Sequence, residues 1–436
     1  MRPETAGRLL AISWEMPPLS GPRAVQVTRT LVELGLRGWR SRVVCFGPRS
    51  TRYQQDFTLD VEAVSEGVVR LVRVASPEEA FFFRALWRLV PPVKHLPDEK
   101  RVWVPRALAA ARRLLAEEPT DVIVSFARPW SDHLVGLQLH RETGLPWVAH
   151  FSDPWVDNPY ERGPAWQRRR CAAMERAVIE AATQVAFVNR QTADRVMAKY
   201  PDAWRSRVHV VPQGFEPRPA AVSRVTGRSV TEAAGLALSE PEGRVEGLRI
   251  VYTGRFYDGI RTPEAFLQAL AALHREASLD GRLTVEFVGA GMDGYERRAR
   301  ELGVDGLVRF AGRMPPEAAQ QAAAGADVLL VIDAPSDGPS LFLPSKLVDY
   351  LPLRVPILGI TPPEGPTADL LAALGYPVVA PDDVAGIGRA LAQLLDAQAA
   401  GTLRASAQHD EVSAAYDIRE TTRAFAEVLD TARGAR

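Results

Sequence analysis

The residues best able to do chemistry in this chain stand close together within 338–351, directly after an apolar run of strand length. A helix is predicted to begin near Ser345, because apolar side chains recur from there at helical spacing. Ser345 offers a hydroxyl donor and Lys346 a positive charge at a helix start, where unpaired N–H groups attract anions. Asp349 adds a carboxylate one turn later. The combination suits phosphates and a ribose; the alternative is a capped surface helix with a solvated lysine.

Two arginines occupy an earlier loop that also follows an apolar, strand-like run. They are Arg255 and Arg261. Loops that follow the strands of a parallel sheet project from one edge of it, so we expect this loop to lie near Lys346. Guanidinium and ammonium groups together bind a pyrophosphate through charge-assisted hydrogen bonds. The sequence therefore predicts a nucleoside diphosphate site, with Asp349 at the ribose.

A further polar group ends an apolar run in the first half of the chain. Asp153 follows residues 145–151, and Trp155 stands two positions later. A carboxylate beside an indole at a strand end can contact a sugar, and the alternative is a turn residue that caps a helix. Gly21 lies in the proline-containing loop after the first strand. A lone glycine there lets a substrate or another segment approach the backbone.

Two series of alternating strands and helices are predicted to position these side chains. The first fills residues 1–215 and the second 248–415, which predicts the α/β class with two Rossmann-like domains facing each other across a cleft. Residues 216–247 contain few large apolar side chains and are typical of a linker. A final helix within 416–436 is predicted to cross back onto the first domain. The first loop lacks the Gly-x-Gly-x-x-Gly pattern of dinucleotide-binding folds.

Composition excludes several classes of function. The chain has 436 residues, of which 46% are hydrophobic, enough for two or three domains. Its formal net charge of zero gives no indication of nucleic-acid binding. Cys45 and Cys171 form no disulfide framework and lack metal-ligand spacing, which favours a reducing compartment. We find no signal-peptide pattern and no apolar run of membrane-spanning length, and therefore expect a cytoplasmic protein.

The segment 77–105 combines aromatic and basic side chains. One interpretation is a helix buried against the first sheet. The other is an interfacial segment that touches a membrane or a lipid-carried acceptor, with its aromatic and basic side chains at the level of the lipid headgroups. The second interpretation predicts peripheral contact with the inner face of the plasma membrane.

Three motifs in the second half make the chain resemble retaining glycosyltransferases of the GT-B fold, in the large family 4 group. The loop 252–261 is similar to the family's Gly-Arg…Lys pyrophosphate loop, with Arg261 in place of the lysine. Residues 288–291 resemble its Val-Gly-x-Gly turn. Residues 344–351 are similar to the Pro-Ser-Lys-x-x-Glu-Tyr variant of many cell-envelope sugar transferases.

Other motifs extend the resemblance over nearly the whole chain. Residues 310–313 resemble the segment that reads the nucleotide base, which implies this role for Gly312 and Arg313. Residues 210–215 resemble the end of the family's acceptor domain. Residues 151–155 look like the Asp-Phe-Arg-Asp-Pro-Trp element of one subgroup.

The resemblance implies transfer of a hexose-like group from a nucleotide diphosphate sugar to an acceptor hydroxyl, with retention of the anomeric configuration. It implies a C-terminal domain for the donor and an N-terminal domain for a saccharide or lipid-linked acceptor, in the synthesis of cell-envelope or exported polysaccharide. Arg255, Arg261 and Lys346 would stabilise the leaving phosphate, and Asp153 would be the catalytic group that orients the acceptor or the donor sugar. Neither a metal nor a further cofactor is implied, and the sequence has no Asp-x-Asp.

One position departs from the family pattern where it matters for catalysis. The family's paired glutamates lie eight residues apart; the second position is Asp349 here, and the first is Leu341. An apolar side chain cannot support the transferring sugar. That role is therefore vacant or passes to Asp333 or Asp337.

Two alternatives stay open. A nucleotide-sugar epimerase has the same fold but needs carboxylates and histidines in its donor cleft, and histidines are sparse here. The histidine of the family's acceptor domain falls near Ser152, which leaves Asp153 as the polar group. A non-catalytic relative, serving as an accessory subunit of an envelope-polysaccharide complex, is favoured by Leu341.

Overall fold

The computed structural model of the protein describes residues 6–49, 53, 55–56, 61, 65–80, 96–160, 163–217 and 247–435. These residues form two compact units, one made of 6–217 with 417–435 and the other of 247–416. Each unit has a parallel sheet with helices packed on it, so the predicted α/β class with two Rossmann-like domains is confirmed. The predictions for residues 81–95 and 218–246 lie outside the described part of the chain.

The first unit contains a parallel sheet whose described strands run in the order β3-β2-β1-β4-β5-β6-β7. They are β1 (Gly7–Ile12), β2 (Trp39–Phe46), β3 (Val69–Val74), β4 (Val122–Ala127), β5 (Trp147–Phe151), β6 (Gln184–Phe187) and β7 (Val208–Val210). The strand order reverses between β1 and β4. Open α/β sheets bind ligands beyond the carboxyl ends of their strands at such a reversal.

Helices with one apolar side cover both faces of this sheet. In chain order they are α1 (Pro22–Leu36), α2 (Val104–Glu117), α3 (Ser131–Thr143), α4 (Ala165–Ala181) and α5 (Arg190–Met197). Helix α1 buries Val27 and Leu31 on one face. Helices α2 to α5 bury alanine, valine, leucine and isoleucine side chains on the other face. Burial on both faces explains why the central strands are continuously apolar.

The second unit repeats the architecture, with described strands in the order β10-β9-β8-β11-β12-β13. They are β8 (Leu248–Arg255), β9 (Leu283–Ala290), β10 (Val308–Gly312), β11 (Val328–Ile332), β12 (Ile357–Ile360) and β13 (Val378–Val379). The helices are α6 (Glu264–Glu276), α7 (Tyr295–Leu302), α8 (Pro316–Ala324), α9 (Ser345–Tyr350), α10 (Pro366–Ala373), α11 (Val384–Ala399) and α12 (His409–Ala414). Here the order reverses between β8 and β11.

The last helix, α13 (Ile418–Gly434), belongs to the first unit. Its amide at Ile418 donates to the carbonyl of Phe215 at 2.9 Å. Phe425 and Leu429 enter the same apolar cluster as Leu31 of α1. None of the helices in the described part of the chain is both long enough and apolar enough to cross a membrane.

Candidate functional site

The carboxyl end of β8, beside the strand reversal of the second unit, is built from closely approaching backbones. Gly254 pairs with Gly289 of β9, and a Cβ on Gly289 would stand 1.7 Å from the Gly254 carbonyl oxygen. Gly289 also has a φ of +142°, which L side chains rarely adopt. Only glycine therefore allows β8 and β9 to end together and hold the following loop against the sheet.

The loop after β8 carries two of the predicted cations. Tyr257 and Arg261 close it by pairing their backbones, with N–H···O distances of 2.9 and 2.8 Å. The Arg261 side chain folds back and donates from Nη2 to the Arg255 carbonyl oxygen at 2.8 Å. Both guanidinium carbons lie over the exposed Tyr257 ring, 5.5 Å from its centroid for Arg255 and 5.1 Å for Arg261. The two arginines are thus held side by side.

Lys346 reaches the same place from helix α9. Its Nζ lies 3.7 Å from the centroid of the Tyr252 ring and 3.4 Å from the position of a Cβ on Gly254. Nζ is buried and finds no hydrogen-bond acceptor in the described part of the chain. Burial lowers the pKa of Lys346 well below its ordinary value; the positive charge of Arg261 adds to this, and Asp333 opposes it. The structure therefore gathers Arg255, Arg261 and Lys346 at one strand reversal.

The register of α9 is fixed by Tyr350. Its hydroxyl accepts a hydrogen bond from the Thr253 amide at 2.8 Å and lies 3.0 Å from the Thr253 hydroxyl. Burial raises the pKa of Tyr350 to about 12, so the phenol stays neutral. This tie between α9 and β8 places Lys346, four residues earlier, over the ring of Tyr252. The helix is short, six residues from Ser345 to Tyr350.

The carboxylates near the cations differ in their surroundings. Asp333, which follows β11, is 7% exposed and accepts a hydrogen bond from the Thr361 hydroxyl at 3.0 Å. Its charge acts on Lys346, whereas Asp337 is exposed in the following loop. Asp349 is half-buried on α9, and Leu341 is half-buried in the loop before it. Of the two aspartates expected to replace the missing glutamate, Asp333 is the one whose charge reaches the cation cluster.

The residues expected to read the base lie elsewhere on the same sheet. Gly312 ends β10 with a φ of +68°, and Arg313 is exposed in the loop that follows. In the strand order β10 is separated from β8 by β9. No described contact connects Gly312 or Arg313 with Lys346, and none is described for the hydroxyl of Ser345.

In the first unit, Asp153 follows β5 at the carboxyl edge of the sheet. It accepts a hydrogen bond from the Ser152 hydroxyl at 2.8 Å and is half-buried. Its negative charge acts on Arg23, which is 8% exposed and donates from Nη2 to Nδ1 of His150 at 3.0 Å. Burial lowers the pKa of Arg23 to about 10, while Asp153, Glu15 and Asp132 oppose the shift. The guanidinium remains charged at neutral pH.

Gly21 serves this cluster by leaving room for a carboxylate. A Cβ on Gly21 would stand 2.9 Å from the Glu15 carboxylate oxygen Oε2. Burial raises the pKa of Glu15, and the charges of Arg23 and Lys100 oppose the shift. The space that Gly21 leaves in this loop is therefore filled by the Glu15 side chain of the protein itself.

Trp155, expected beside a sugar, is buried at 2% exposure and stacks on Trp130 with centroids 5.1 Å apart. It therefore packs the interior and offers no open ring face of the size a sugar needs. Nearby, Asp132 accepts from the Trp14 amide at 2.8 Å, and its second carboxylate oxygen has no partner in the described part of the chain. Burial raises the pKa of Asp132 well above its ordinary value.

Sequence reasoning missed Tyr252, Glu15, Arg23, His150 and Asp132. Glu15 and Arg23 flank the Gly21 loop. A charged pair around a strand-to-helix loop is the feature of the sequence that could have indicated them. Tyr252 and Asp132 are recognisable only from contacts between distant segments. Among the described residues, no group of three or more histidine, cysteine or acidic side chains could hold a metal ion.

Residues 23–214 match the family described as Glycosyl transferase 4-like domain, which covers most of the first unit. The chain has no match among curated protein sequences.

Solved structures resemble the chain over nearly its full length. WaaG, a glycosyltransferase involved in lipopolysaccharide biosynthesis, has a TM-score of 0.58 at 16% identity, covering 97% of this chain and 99% of that one. A trehalose-6-phosphate structure from E. coli bound with UDP-2-fluoro glucose has a TM-score of 0.60 at 13% identity, covering 97% and 98%. A putative UDP-N-acetylglucosamine 2-epimerase from Listeria monocytogenes has a TM-score of 0.54 at 10% identity, covering 98% and 96%. At these identities the likeness shows the fold.

The family match lies within the first unit, and the solved structures share the fold of both units. The match does not extend into the second unit, where the cations lie.

Proposed function

We propose that the protein is a retaining hexosyltransferase that moves a sugar from a nucleoside diphosphate sugar to an acceptor hydroxyl. The donor would bind at the strand reversal of the second unit. The acceptor, a saccharide or a lipid-linked saccharide, would bind at the carboxyl edge of the first sheet. The work of the enzyme would lie in the synthesis of cell-envelope or exported polysaccharide.

The observation that carries this proposal is the unpaired Nζ of Lys346. A buried ammonium without an acceptor is costly, and its neighbour Arg261 makes the position more unfavourable. Such a group calls for an anion to satisfy it. A diphosphate supplies several oxygens and two negative charges, and the adjacent guanidinium groups of Arg255 and Arg261 suit it as well.

The chemistry follows from where charge develops. When the bond between the anomeric carbon and the phosphate oxygen breaks, the sugar ring gains positive charge and the leaving diphosphate gains negative charge. Lys346, Arg255 and Arg261 would stabilise that leaving group. The charge of Asp333 acts on Lys346, and we propose that Asp333 supports the sugar in place of the glutamate replaced by Leu341. Asp349 would bind the ribose.

On the acceptor side we propose that Asp153 orients the reacting hydroxyl. The Asp153 carboxylate accepts a hydrogen bond from Ser152 and interacts with the charge of Arg23. It would therefore be held at the strand end, where it can accept a hydrogen bond from the hydroxyl. The buried Asp132 and the half-buried Glu15 would add polar atoms to the same edge. Gly312 and Arg313 would contact the base.

The proposed location is the cytoplasmic side of the membrane. Cys45 and Cys171 form no disulfide bond in the described part of the chain, which agrees with a reducing compartment. Peripheral contact through residues 77–105 is part of the proposal and rests on the sequence alone. No further cofactor is proposed.

The decisive experiment measures release of UDP or GDP from a panel of nucleotide sugars, with and without oligosaccharide acceptors. We expect turnover of one donor, and a loss of at least about 100-fold for Lys346→Met. Arg297→Met is the matched control, because Arg297 is exposed and paired with Glu301 at 3.7 Å. Unchanged turnover in Lys346→Met would contradict the proposed donor site.

Two other outcomes separate the alternatives. Binding of UDP or GDP without turnover of any donor would favour an accessory subunit, which Leu341 makes the second candidate. Conversion of the sugar while it stays attached to the nucleotide would favour an epimerase. The likeness to the Listeria structure supports testing that outcome.

A further inference from the structure

We propose that Tyr252 is the positioning residue that holds all three cations of the donor site in place. It touches Lys346 through its ring and Arg255 through its hydroxyl, and it shares an acceptor with Arg261. Tyr252 is 0% exposed, so it acts on a ligand only through these neighbours. This inference rests on the proposed diphosphate site.

The first contact is a cation–π interaction of short range. Nζ of Lys346 lies 3.7 Å from the Tyr252 centroid, well inside the distance of about 6 Å at which such interactions act. The ammonium has no hydrogen-bond acceptor in the described part of the chain. The ring face is therefore the surface that receives its positive charge when no ligand is bound.

The second contact fixes the loop that carries the arginines. The Tyr252 hydroxyl donates to the Arg255 carbonyl oxygen at 3.3 Å. Nε and Nη2 of Arg261 donate to the same oxygen at 3.2 and 2.8 Å. One carbonyl thus joins the tyrosine to both arginines, and it fixes the turn in which Arg255 and Arg261 stand side by side.

The ring is packed on one face and one edge by two phenylalanines. Phe256 lies face to face with Tyr252, with centroids 4.6 Å apart and planes at 10°. Phe287 of β9 packs edge-on against both rings, at 5.8 and 5.5 Å. This packing makes Tyr252 a fixed platform, which is what pre-organised binding of a charged group requires.

Calorimetric titration with UDP and GDP tests this role. We expect Tyr252→Phe, which keeps the ring but removes the hydroxyl bond to the Arg255 carbonyl, to bind the better nucleotide about threefold more weakly than the wild type. Tyr252→Leu, which removes ring and hydroxyl, should bind it about tenfold or more weakly. In a Lys346→Met background, Tyr252→Leu should weaken nucleotide binding by a much smaller factor, because the two residues act together. Equal losses in both backgrounds would show that Tyr252 does not act through Lys346 and would overturn the first contact of this proposal.

A measurement without nucleotide keeps this inference separate from the proposed function. The sequence has four lysines, Lys94, Lys100, Lys199 and Lys346, so their ε-CH2 signals can be assigned in selectively labelled wild-type protein by single substitutions. Stacking on Tyr252 should shift the Lys346 signal upfield in the free protein, and inorganic pyrophosphate should move it. An unshifted Lys346 signal overturns the role of Tyr252 whether or not Tyr252→Leu folds. A shifted signal in a protein that binds neither UDP nor GDP would overturn the proposed function alone.

Discussion

At the scale of single residues, the cluster of Arg255, Arg261 and Lys346 carries a cost that no structural role explains. Lys346 buries an ammonium near a second cation, and its strongest opposing charge, Asp333, is already hydrogen-bonded to Thr361. Glu175 is a contrasting case: it is fully buried and accepts hydrogen bonds from Lys199 and from the Tyr200 hydroxyl. Positions where a sequence violates the rules of burial are often functional.

This cost predicts how Lys346→Met changes stability with pH. The folded state lowers the pKa of Lys346, so between that pKa and the ordinary value of 10.5 the unfolded chain binds more protons. Wild-type stability therefore rises with pH in that interval, and the substitution removes the effect. We expect Lys346→Met to raise the free energy of unfolding at pH 7 by about 1 kcal/mol or more, with a smaller gain near pH 10.

Urea unfolding of both proteins at the two pH values measures the difference. Lys199→Met is the contrasting variant, because it strips the partner from the buried Glu175 and should cost about 3 kcal/mol or more at pH 7. A Lys346→Met protein that is clearly less stable at pH 7 would show that the ammonium contributes to folding.

The cations of this site were predictable from sequence, and their platform was not. Arg255, Arg261 and Lys346 are charged residues in loops that follow apolar runs, and parallel strands bring such loops to one edge. In the sequence, nothing distinguishes Tyr252 from the other apolar residues of its strand. Its role depends on the rotation of α9, which Tyr350 sets through its hydrogen bond to Thr253. Spacing along the chain does not contain that information.

At the scale of elements, the last helix completes the first unit only because a glycine lets it approach. A Cβ on Gly214 would stand 2.6 Å from the Cα of Ile418 and 2.5 Å from the hydroxyl oxygen of Thr421. Ile418 begins α13, whose Phe425 and Leu429 are part of the core. Gly214 is therefore needed for packing, in addition to belonging to the segment 210–215 that resembles the end of the family's acceptor domain.

We expect Gly214→Ala to destabilise the protein by about 1–3 kcal/mol, because the added methyl group pushes α13 out of register with the sheet. Chemical denaturation followed by far-ultraviolet circular dichroism measures the change. Gly434→Ala is the control on the same helix: a Cβ there meets nothing within 4 Å. Equal stability of the two variants would mean that α13 tolerates displacement at its start.

Strands with continuous apolar runs were predicted, and less typical elements were not. The edge strand β3 (Val69–Val74) has arginines at two of its six positions, so its apolar run is interrupted. Helix α2 (Val104–Glu117) begins where the aromatic segment ends. Its buried face is rich in alanine, and the helix was not predicted. Strand β7 stops at Val210, because Pro212 cannot continue the ladder. Tertiary context decides such cases.

At the scale of the whole molecule, the two units share one topology but differ in the charged side chains at the carboxyl edges of their sheets. Both sheets reverse their strand order between the first and fourth strands of the unit, and each unit has its own apolar core. The edge of the first sheet carries Arg23 among the carboxyl groups of Glu15, Asp132 and Asp153. The edge of the second carries three cations. The alternation of apolar runs predicts the repeated fold, whereas only the side chains at each edge tell the units apart.

Because the cores are separate, a nucleotide should stabilise the second unit without slowing the opening of the first. Hydrogen exchange in the presence of UDP or GDP at about 100 times Kd should slow amides that exchange through opening of the second unit by about 100-fold, the equivalent of ~2.7 kcal/mol. The protection should be greatest in residues 252–261 and 345–350, where the Thr253 amide is bonded to Tyr350. Strands β1 and β4 should exchange as before, and Lys346→Met should show much weaker protection at the same nucleotide concentration. Equal protection of both sheets would mean that the two units open together, and protection of the first sheet alone would place the nucleotide in the wrong unit.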